Sequence, residues 1–421
     1  MSGWVLVGIG LSLAGALLGA PGLILVGGLT IVSRWVTTFW SRFGLDSITF
    51  ERRLGSRHAL WGDEVPLDLV VWNRKPLPVP LLVVDDAVSD RLRVRGHALE
   101  ASDRPGRGNL RNAWSLLWYE QVIRHLTIEA RRRGTFAFGP VRLTVSDLFE
   151  RGTRSEEREM PAELVVRPRI VPVRAEHPAA APLGTARTRA SLFEDPARFA
   201  GVRAYQAGDP MRRIHWRASA RLGAPVSRRF EPVRERTVLV TLDLQTVPGA
   251  HWLMLFDDDA VEGLCVAAAS LTRRALRDGA ACGLAVNAQV GGDRGWGWVA
   301  PASGPGQLAR IEDALAHLQP IVTLPFTALL RAVPRLVAPG ATILALGARD
   351  PLELVSTLRQ LERSGYRVTH LGLGAARGDR TSGDAQPPDA TRRGLAGAGI
   401  HARTATLDPD WRTADALVVR D

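Results

Sequence analysis

The sequence predicts an α+β multidomain protein with an N-terminal transmembrane hairpin, a β-sandwich-like domain and a C-terminal doubly wound α/β domain. Three patterns carry this prediction: a long uncharged run near the start, short apolar runs broken by turns in the middle, and alternating strand and helix patterns from residue 237 onward. With 421 residues, 46% hydrophobic and 23% charged, the composition is that of a folded chain and excludes wholesale disorder.

The transmembrane prediction rests on residues 3–33, which contain no charged side chain. One helix of this length would exceed a hydrocarbon core of about 30 Å, and Pro21-Gly22 would break it near its middle. Two arrangements stay open: a hairpin of two short helices, which we favour, and a single span with a kinked continuation. Arg34 and Arg42 follow with aromatic residues between them, which predicts a membrane anchor over residues 1–46 and a cytoplasmic location for the bulk of the chain.

A β-sandwich-like domain is predicted over residues 47–172. Residues 65–88 contain two β-branched runs separated by a Lys-Pro break, and residues 125–149 alternate apolar and polar positions with turns at glycine. Short strands at this spacing are typical of a sandwich. Residues 173–200 are rich in proline, alanine and arginine without any period, which predicts a linker.

The C-terminal part, residues 237–421, changes pattern. Continuous apolar strands alternate with helical segments, and such strands are typical of a parallel sheet that is covered on both faces. The predicted strands are 237–244, 281–290, 341–348, 365–374 and 400–406, and the predicted helices are 258–278, 305–318 and 350–364. The stretch 375–393 is rich in glycine, aspartate and proline, which predicts a disordered excursion.

Asp243 is the one candidate metal ligand, because it ends the first strand of the α/β pattern. Ligands bind at the carboxyl ends of such strands, and carboxylate oxygens suit Mg²⁺. A metal-dependent adhesion site would read D-x-S-x-S, whereas Gln245 and Val247 stand at the two serine positions and valine has no ligand atom. The run 257–259, three aspartates, is interpreted as a helix cap.

No catalytic constellation is indicated. Asp209, His215 and Ser219 are the residue types of a hydrolase triad, and the last two would share a face if residues 211–221 were helical. No nucleophile elbow or oxyanion-hole motif accompanies them. Histidine spacings of zinc enzymes are absent, and Cys265 and Cys282 form no C-x-x-C pair. We therefore expect a protein that is not an enzyme and that needs no cofactor.

Positive charge is concentrated in residues 201–236. The whole chain has a formal net charge of +11 and one lysine, Lys75, so nearly all of this charge is arginine. The segment holds nine arginines against three acids, Asp209, Glu231 and Glu235, a balance of +6. We expect Trp216 to be buried and the arginines to meet carboxylates or carbonyl oxygens, so that the segment clasps two folded bodies together.

The same segment resembles the domain of unknown function 58 (DUF58) family, whose pattern runs roughly G-x-R-x-Y-x-x-G-D-x-x-R-x-I-x-W-x-x-[ST]-A-R and then a basic strand that ends in F-E. The matching residues are Gly201, Arg203, Tyr205, Gly208, Asp209, Arg213 or its neighbour Arg212, Ile214, Trp216, Ser219, Ala220, Arg221, Phe230 and Glu231. The remaining layout also resembles the family, with departures at Gln245 and Val247 and at the turn 147–150.

The resemblance implies a bacterial inner-membrane protein with a von Willebrand A-like C-terminal domain over residues 237–421. It also implies a MoxR-type AAA+ ATPase as a partner, and it delivers no established reaction. We expect a membrane-anchored scaffold or adaptor that binds proteins. Two alternatives stay open: a divalent-metal-dependent ligand binder that uses Asp243, and a nucleic-acid-binding protein, against which the scarcity of interleaved aromatic residues argues.

Overall fold

The chain falls into two compact units, Met1–Arg167 and Pro168–Asp421. The computed structural model describes residues 3–146, 153–175, 194–206, 211, 214–232, 236–247, 249, 256–292, 295–349, 351–374, 394–397, 400–408 and 410–420. Most of the predicted linker, the turn at 147–150 and the predicted excursion at 375–393 lie outside these residues.

Two packed helices begin the first unit. They are α1 (Gly3–Leu17) and α2 (Pro21–Phe43), and the proline that separates them stands at the start of α2, where its missing N–H is tolerated. Glycines let the helices approach closely. A Cβ added at Gly15 would lie 2.8 Å from the backbone nitrogen of Ile24, and one added at Gly27 would lie 2.5 Å from the carbonyl oxygen of Gly8.

The prediction of a transmembrane hairpin is wrong. Within the described residues, no helix combines the length and the apolar character that crossing a bilayer requires. The reason lies in the break between the helices, since the uncharged run of the sequence is divided into two short pieces. Helix α1 has 15 residues, fewer than the roughly 20 that a spanning helix needs. Helix α2 has 23 residues, but Arg34 and Arg42 lie in its second half.

The rest of the first unit is strands, in keeping with a chain that is mostly sheet. They are β1 (Ile48–Leu54), β2 (His58–Leu60), β3 (Glu64–Asn73), β4 (Val79–Ser89), β5 (Arg93–Val94), β6 (Glu100–Ala101), β7 (Arg107–Leu116), β8 (Gln121–Glu129), β9 (Gly134–Ser146), β10 (Thr153–Arg158) and β11 (Ala162–Arg167). One sheet has the order β1-β3-β8-β5. The other has the order β2-β11-β9-β4-β7-β6, with β10 paired to β9.

One hydrophobic core lies between these two sheets. Alternate residues of β3, such as Leu67 and Leu69, are fully buried, and so are Leu143 and Val145 of β9 in the other sheet. This period of two is what half-buried strands require. The β-branched runs at 65–88 and the alternation at 125–149 therefore correspond to core strands of the two sheets.

Lys75 joins helix α2 to the first unit's strands. Its ammonium group donates hydrogen bonds to the carbonyl oxygens of Phe43 (2.8 Å), Gly44 and Asp46 (2.8 Å), and only 8% of the residue is exposed. A cation here satisfies carbonyl groups that the end of a helix leaves unpaired. The pKa of Lys75 is lowered to about 8, mainly because the ammonium group is buried. The negative charge of Asp46 acts to raise this pKa, and the positive charge of Arg154 acts to lower it.

This shift predicts a pH dependence of stability. Between about pH 8 and the ordinary lysine value of 10.5, the unfolded chain binds the Lys75 proton and the folded chain does not. The free energy of unfolding should therefore rise with pH across this window. Urea unfolding of the wild type and of Lys75→Met from pH 7 to 10 measures the difference, and the subtraction removes the titration of tyrosine and cysteine. A difference that does not change with pH would contradict the buried ammonium.

The second unit contains a mixed sheet with helices. Its elements are β12 (Val173–Ala175), β13 (Glu194–Ala204), α3 (Trp216–Leu222), β14 (Val226–Pro232), β15 (Thr237–Leu242), α4 (Asp258–Arg277), β16 (Ala281–Val286), β17 (Ala288–Val290), β18 (Gly297–Ala302), α5 (Gln307–Ala316), β19 (Leu318–Val322), α6 (Phe326–Leu336), β20 (Thr342–Gly347), α7 (Leu352–Arg363), β21 (Arg367–Leu373), β22 (His401–Leu407) and β23 (Leu417–Arg420).

The large sheet has the strand order β12-β23-β22-β21-β20-β15-β16-β18. Its central strands β22, β21, β20, β15 and β16 are all parallel, whereas β18 and β23 run antiparallel to their neighbours β16 and β22. Leu239 and Ile343 pack into one core with Leu329 of α6 and Leu358 of α7. The central strand β15 thus lies in the middle of the sheet, and its carboxyl end leads directly into Asp243.

Candidate functional site

The arginine-rich segment folds as a small hairpin of its own. Within the described residues, β13 and β14 form a two-stranded sheet, and α3 lies in the connection between them. We call the described residues from Glu194 to Pro232 the arginine-rich module. Its helix is fixed to the hairpin by hydrogen bonds from His215 N to Val226 O (2.9 Å) and from Val226 N to the Ser219 hydroxyl (3.0 Å).

His215 and Ser219 hold this helix in place. The ring atom Nδ1 of His215 accepts a hydrogen bond from Ala218 N at 3.1 Å and so caps the helix N-terminus. The Ser219 hydroxyl donates to the carbonyl oxygen of His215 at 3.1 Å. Each side chain is thereby engaged with backbone. The helix considered over residues 211–221 starts at Trp216, and Asp209 lies outside the described residues.

Trp216 is exposed, so the prediction that it is buried is wrong. It is 64% exposed, and Met211 and Leu222 are exposed to 66% and 64%. The cause is the size of the module. Helix α3 has seven residues, none of them buried, and among the described side chains of the module the large buried apolar ones are Ile214 and Val226. The described part of the module therefore offers one short helix on a hairpin and no second layer that covers the indole.

The remaining residues of the predicted signature fall on this module in part. Gly201 and Arg203 lie in β13, Tyr205 follows that strand, and Arg221 is exposed in the last turn of α3. Gly201 has φ 147°, a conformation that favours glycine. Phe230 and Glu231 are residues of strand β14. Gly208 and Arg213 lie outside the described residues.

Three arginines of the module form no ion pair within the described part of the chain. Arg217, Arg221 and Arg228 are exposed, and no acidic side chain of the described chain forms an ion pair with any of them. Elsewhere the chain pairs its arginines readily, as Arg111 does with Asp85 at 2.7 Å. The module thus combines exposed large apolar side chains with arginines whose hydrogen-bond donors are available.

A second cluster lies at the carboxyl end of the central strand β15. Asp243 is 1% exposed, and its Oδ1 accepts hydrogen bonds from Gln245 N (3.0 Å) and from the Asn287 side-chain amide (2.8 Å). Its other oxygen, Oδ2, is buried, accepts no hydrogen bond from the described residues and lies 3.9 Å from Nη2 of Arg349. Burial raises the pKa of the Asp243 carboxyl above its ordinary value. Three groups oppose this shift and lower the pKa: the backbone N–H of Gln245, the positive charge of Arg349 and the side-chain hydrogen bond from Asn287.

These residues do not fit a divalent cation. Among the described residues, Asp243 is the sole carboxylate of the cluster, and no group of three or more His, Cys, Asp or Glu side chains there could bind a metal. The Arg349 guanidinium already places a positive charge beside the open carboxylate oxygen. Val247, at the second serine position of an adhesion motif, offers no ligand atom. A Mg²⁺ ion at Asp243 would find too few oxygen ligands among the described residues, and the guanidinium of Arg349 would repel it.

Asp257 behaves as the sequence predicts. Its carboxylate accepts hydrogen bonds from Asp259 N (2.9 Å) and Ala260 N (3.2 Å) at the start of α4. The sequence did not single out Asn287 or Arg349. Their positions offered a signal, because each follows a buried strand at the same edge of the sheet as Asp243, Asn287 after β16 and Arg349 after β20.

Comparison with known families bears on the module and part of the sheet. Residues 201–339 match the family described as protein of unknown function DUF58. The DUF58 resemblance of the arginine-rich segment is thereby confirmed. The DUF58 match begins in β13, includes Asp243 and Asn287 and ends before Arg349. The von Willebrand A-like assignment of residues 237–421 stays a prediction.

The relatives named by the comparisons are distant. The uncharacterized protein YeaD of Bacillus subtilis (strain 168) is 23% identical to this chain over 249 residues. The matched region covers 58% of this chain and 56% of the length of YeaD. Among solved structures, the CARDB domain of the PF1109 protein from Pyrococcus furiosus is 14% identical with a TM-score of 0.20, over 28% of this chain and 91% of that one. Salmonella alpha-2-macroglobulin is 20% identical with a TM-score of 0.20, and the match covers 29% of this chain and 7% of that protein. TM-scores this low support no functional inference.

Proposed function

We propose that this chain is a non-enzymatic adaptor that binds an acidic protein partner through the arginine-rich module. The observation that carries the proposal is the exposure of Trp216 on the same short helix as Arg217 and Arg221, two exposed arginines that form no ion pair within the described residues. Tryptophan and arginine are the residues most enriched among those that dominate binding energy at protein interfaces. An adaptor needs such a surface and no catalytic group.

The apolar side chains of the module favour a protein surface as the ligand. Met211, Trp216 and Leu222 are all at least 64% exposed within one short stretch. Clustered apolar exposure rimmed by charge marks interaction sites, whereas scattered single residues do not. Methionine adapts to a partner's shape, and tryptophan supplies a large rigid contact.

Charge selects the class of partner. Residues 201–236, which overlap most of the module, carry a balance of +6, so two copies of this segment would repel each other, and an acidic surface would be attracted to it. Arginine forms bidentate bonds with the carboxylates of aspartate and glutamate. The DUF58 resemblance supplies one concrete candidate, an AAA+ ATPase of the MoxR type.

Site-specific photo-crosslinking tests this proposal. A photoreactive amino acid is placed at Leu222 in the module or at Leu352 in α7, which is exposed to a similar extent, 57%. We expect the full chain to crosslink to an acidic protein from position 222 and not from position 352. The captured protein is then purified and titrated against the wild type and against Arg217→Glu/Arg221→Glu, for which we expect at least tenfold weaker binding.

Three outcomes would overturn the proposal. Equal crosslinking from both positions, or unchanged affinity after the charge reversal, would show that the module is not the contact surface. Crosslinking of position 222 to RNA or DNA would favour a nucleic-acid-binding protein, and the salt dependence of that binding would then measure the number of phosphate contacts.

Leu352→Ala is the control variant for the titration, and it should bind the captured acidic protein as tightly as the wild type does.

A further inference from the structure

The crevice between β15 and β20 is the point where the strand order of the large sheet reverses. From β15 the chain passes through α4 to β16 on one side, and from β20 it passes through α7 to β21 on the other. Ligands of open α/β sheets bind at such a point, outside the carboxyl ends of the strands. Asp243 and Arg349 follow these two strands and face each other across the crevice at 3.9 Å.

Arg349 is held in one orientation from two directions. Its Nε donates a hydrogen bond to the carbonyl oxygen of Gln245 at 2.7 Å, and its Nη2 faces the buried Oδ2 of Asp243. Asp243 is itself fixed, because Gln245 N and Asn287 both donate to its Oδ1. The guanidinium is therefore preorganised, which lowers the entropic cost of binding a ligand.

Most of the donors of this guanidinium are unused. Within the described part of the chain, Nε alone makes a hydrogen bond, and neither Nη atom donates one. The side chain is 20% exposed, so a ligand in the crevice can reach it. A planar fork of N–H groups at a fixed position is complementary to the two oxygens of a carboxylate.

We infer that Arg349 binds a carboxylate ligand in this crevice, with Asp243 and Gln245 as positioning residues. The charge balance selects a carboxylate over a phosphate. The Asp243 carboxylate lies close to Arg349 and repels any incoming anion, and by Coulomb's law it repels a doubly charged phosphate about twice as strongly as a singly charged carboxylate. This inference does not depend on the adaptor proposal, since it concerns a different surface of the second unit.

Ligand-observed NMR with the full chain tests the inference, with glutarate as the probe and inorganic phosphate as the competitor. We expect saturable glutarate binding to the wild type, at least tenfold weaker binding to Arg349→Gln, and little displacement by equimolar phosphate. Arg335→Gln serves as the matched control, because Arg335 is an exposed arginine on α6 in the same unit, and this variant should bind glutarate as the wild type does.

A second variant keeps the test decisive if Arg349→Gln does not fold. Arg349→Lys keeps the charge and loses the planar fork, and we expect it to bind glutarate at least fivefold more weakly than the wild type. Glutarate binding that survives both replacements would overturn the inference. So would Mn²⁺ binding, measured by water-proton relaxation, that Asp243→Asn abolishes, because it would assign the crevice to a cation.

Discussion

Replacing Asp86 with alanine is expected to lower the free energy of unfolding by about 3–5 kcal/mol, the cost of leaving a buried charge without its partner. Asp86 and Arg52 are 0% and 3% exposed. The Nε of Arg52 donates to Oδ2 of Asp86 at 2.8 Å, its Nη2 donates to Oδ1, and its Nη1 donates to the carbonyl oxygen of Met160 at 2.9 Å. The pair connects β1 of one sheet to β4 of the other across the core of the first unit.

Urea unfolding of Asp86→Ala checks this expectation, and a double variant supplies the control. Arg52→Met/Asp86→Leu removes both charges and fills the space with apolar groups, so we expect it to be much closer to the wild type than Asp86→Ala. The Arg52 guanidinium also lies 5.1 Å from the centre of the Phe138 ring, and that contact is lost in the double variant. An Asp86→Ala chain as stable as the wild type would contradict the buried pair.

Trp216→Ala is expected to separate binding from stability. Because the indole is 64% exposed, its removal should change the free energy of unfolding by no more than about 0.5 kcal/mol. The same change should weaken binding of the acidic partner by about 30-fold or more, the effect of losing a residue that contributes about 2 kcal/mol at an interface. Thermal unfolding measures the first quantity, and calorimetric titration with the purified partner measures the second.

Trp118→Ala is the matched control for this variant. Trp118 is exposed to a similar extent, 61%, and lies in the first unit. It should leave both stability and partner affinity unchanged. If Trp216→Ala instead lowered stability by several kcal/mol, the indole would be buried in the folded chain and the module would be a structural clasp, as the sequence first suggested.

The strands of both units were accessible to sequence reasoning because their cores impose a simple period. Leu67 and Leu69 alternate on β3, and β15 is a continuous apolar run before Asp243. Elements without such a pattern were missed. Helix α6 contains Pro334, and β19 contains Pro320, so neither has the uninterrupted period of a helix or strand.

Two errors have the same physical origin, since each treats a local composition as if it fixed the surroundings. The uncharged run 3–33 predicted a membrane span, but the break before Pro21 divides the run, and no described helix is long and apolar enough to cross a membrane. The clustering of Trp216 with arginines predicted burial, but burial needs a covering layer, and within the described residues no residue of α3 is buried.

The candidate site beyond Asp243 depended on tertiary structure. Arg349 meets Asp243 because β15 and β20 pair in parallel with Leu242 opposite Leu346. More than a hundred residues separate the two side chains in sequence, and no spacing rule links them. For the arginine-rich module, the sequence alone identified the segment and its positive charge. Which of its side chains are exposed could be seen only in the folded structure.

Hydroxyl-radical footprinting of the full chain, with and without the purified partner, tests the adaptor account most directly. The account predicts that the partner protects Met211, Trp216 and Leu222 from oxidation and leaves Trp118 and Tyr119, which are equally open in the free chain, unchanged. Protection of Trp118 and Tyr119 with continued oxidation of Trp216 would contradict it, because the partner would then bind the first unit and not the arginine-rich module.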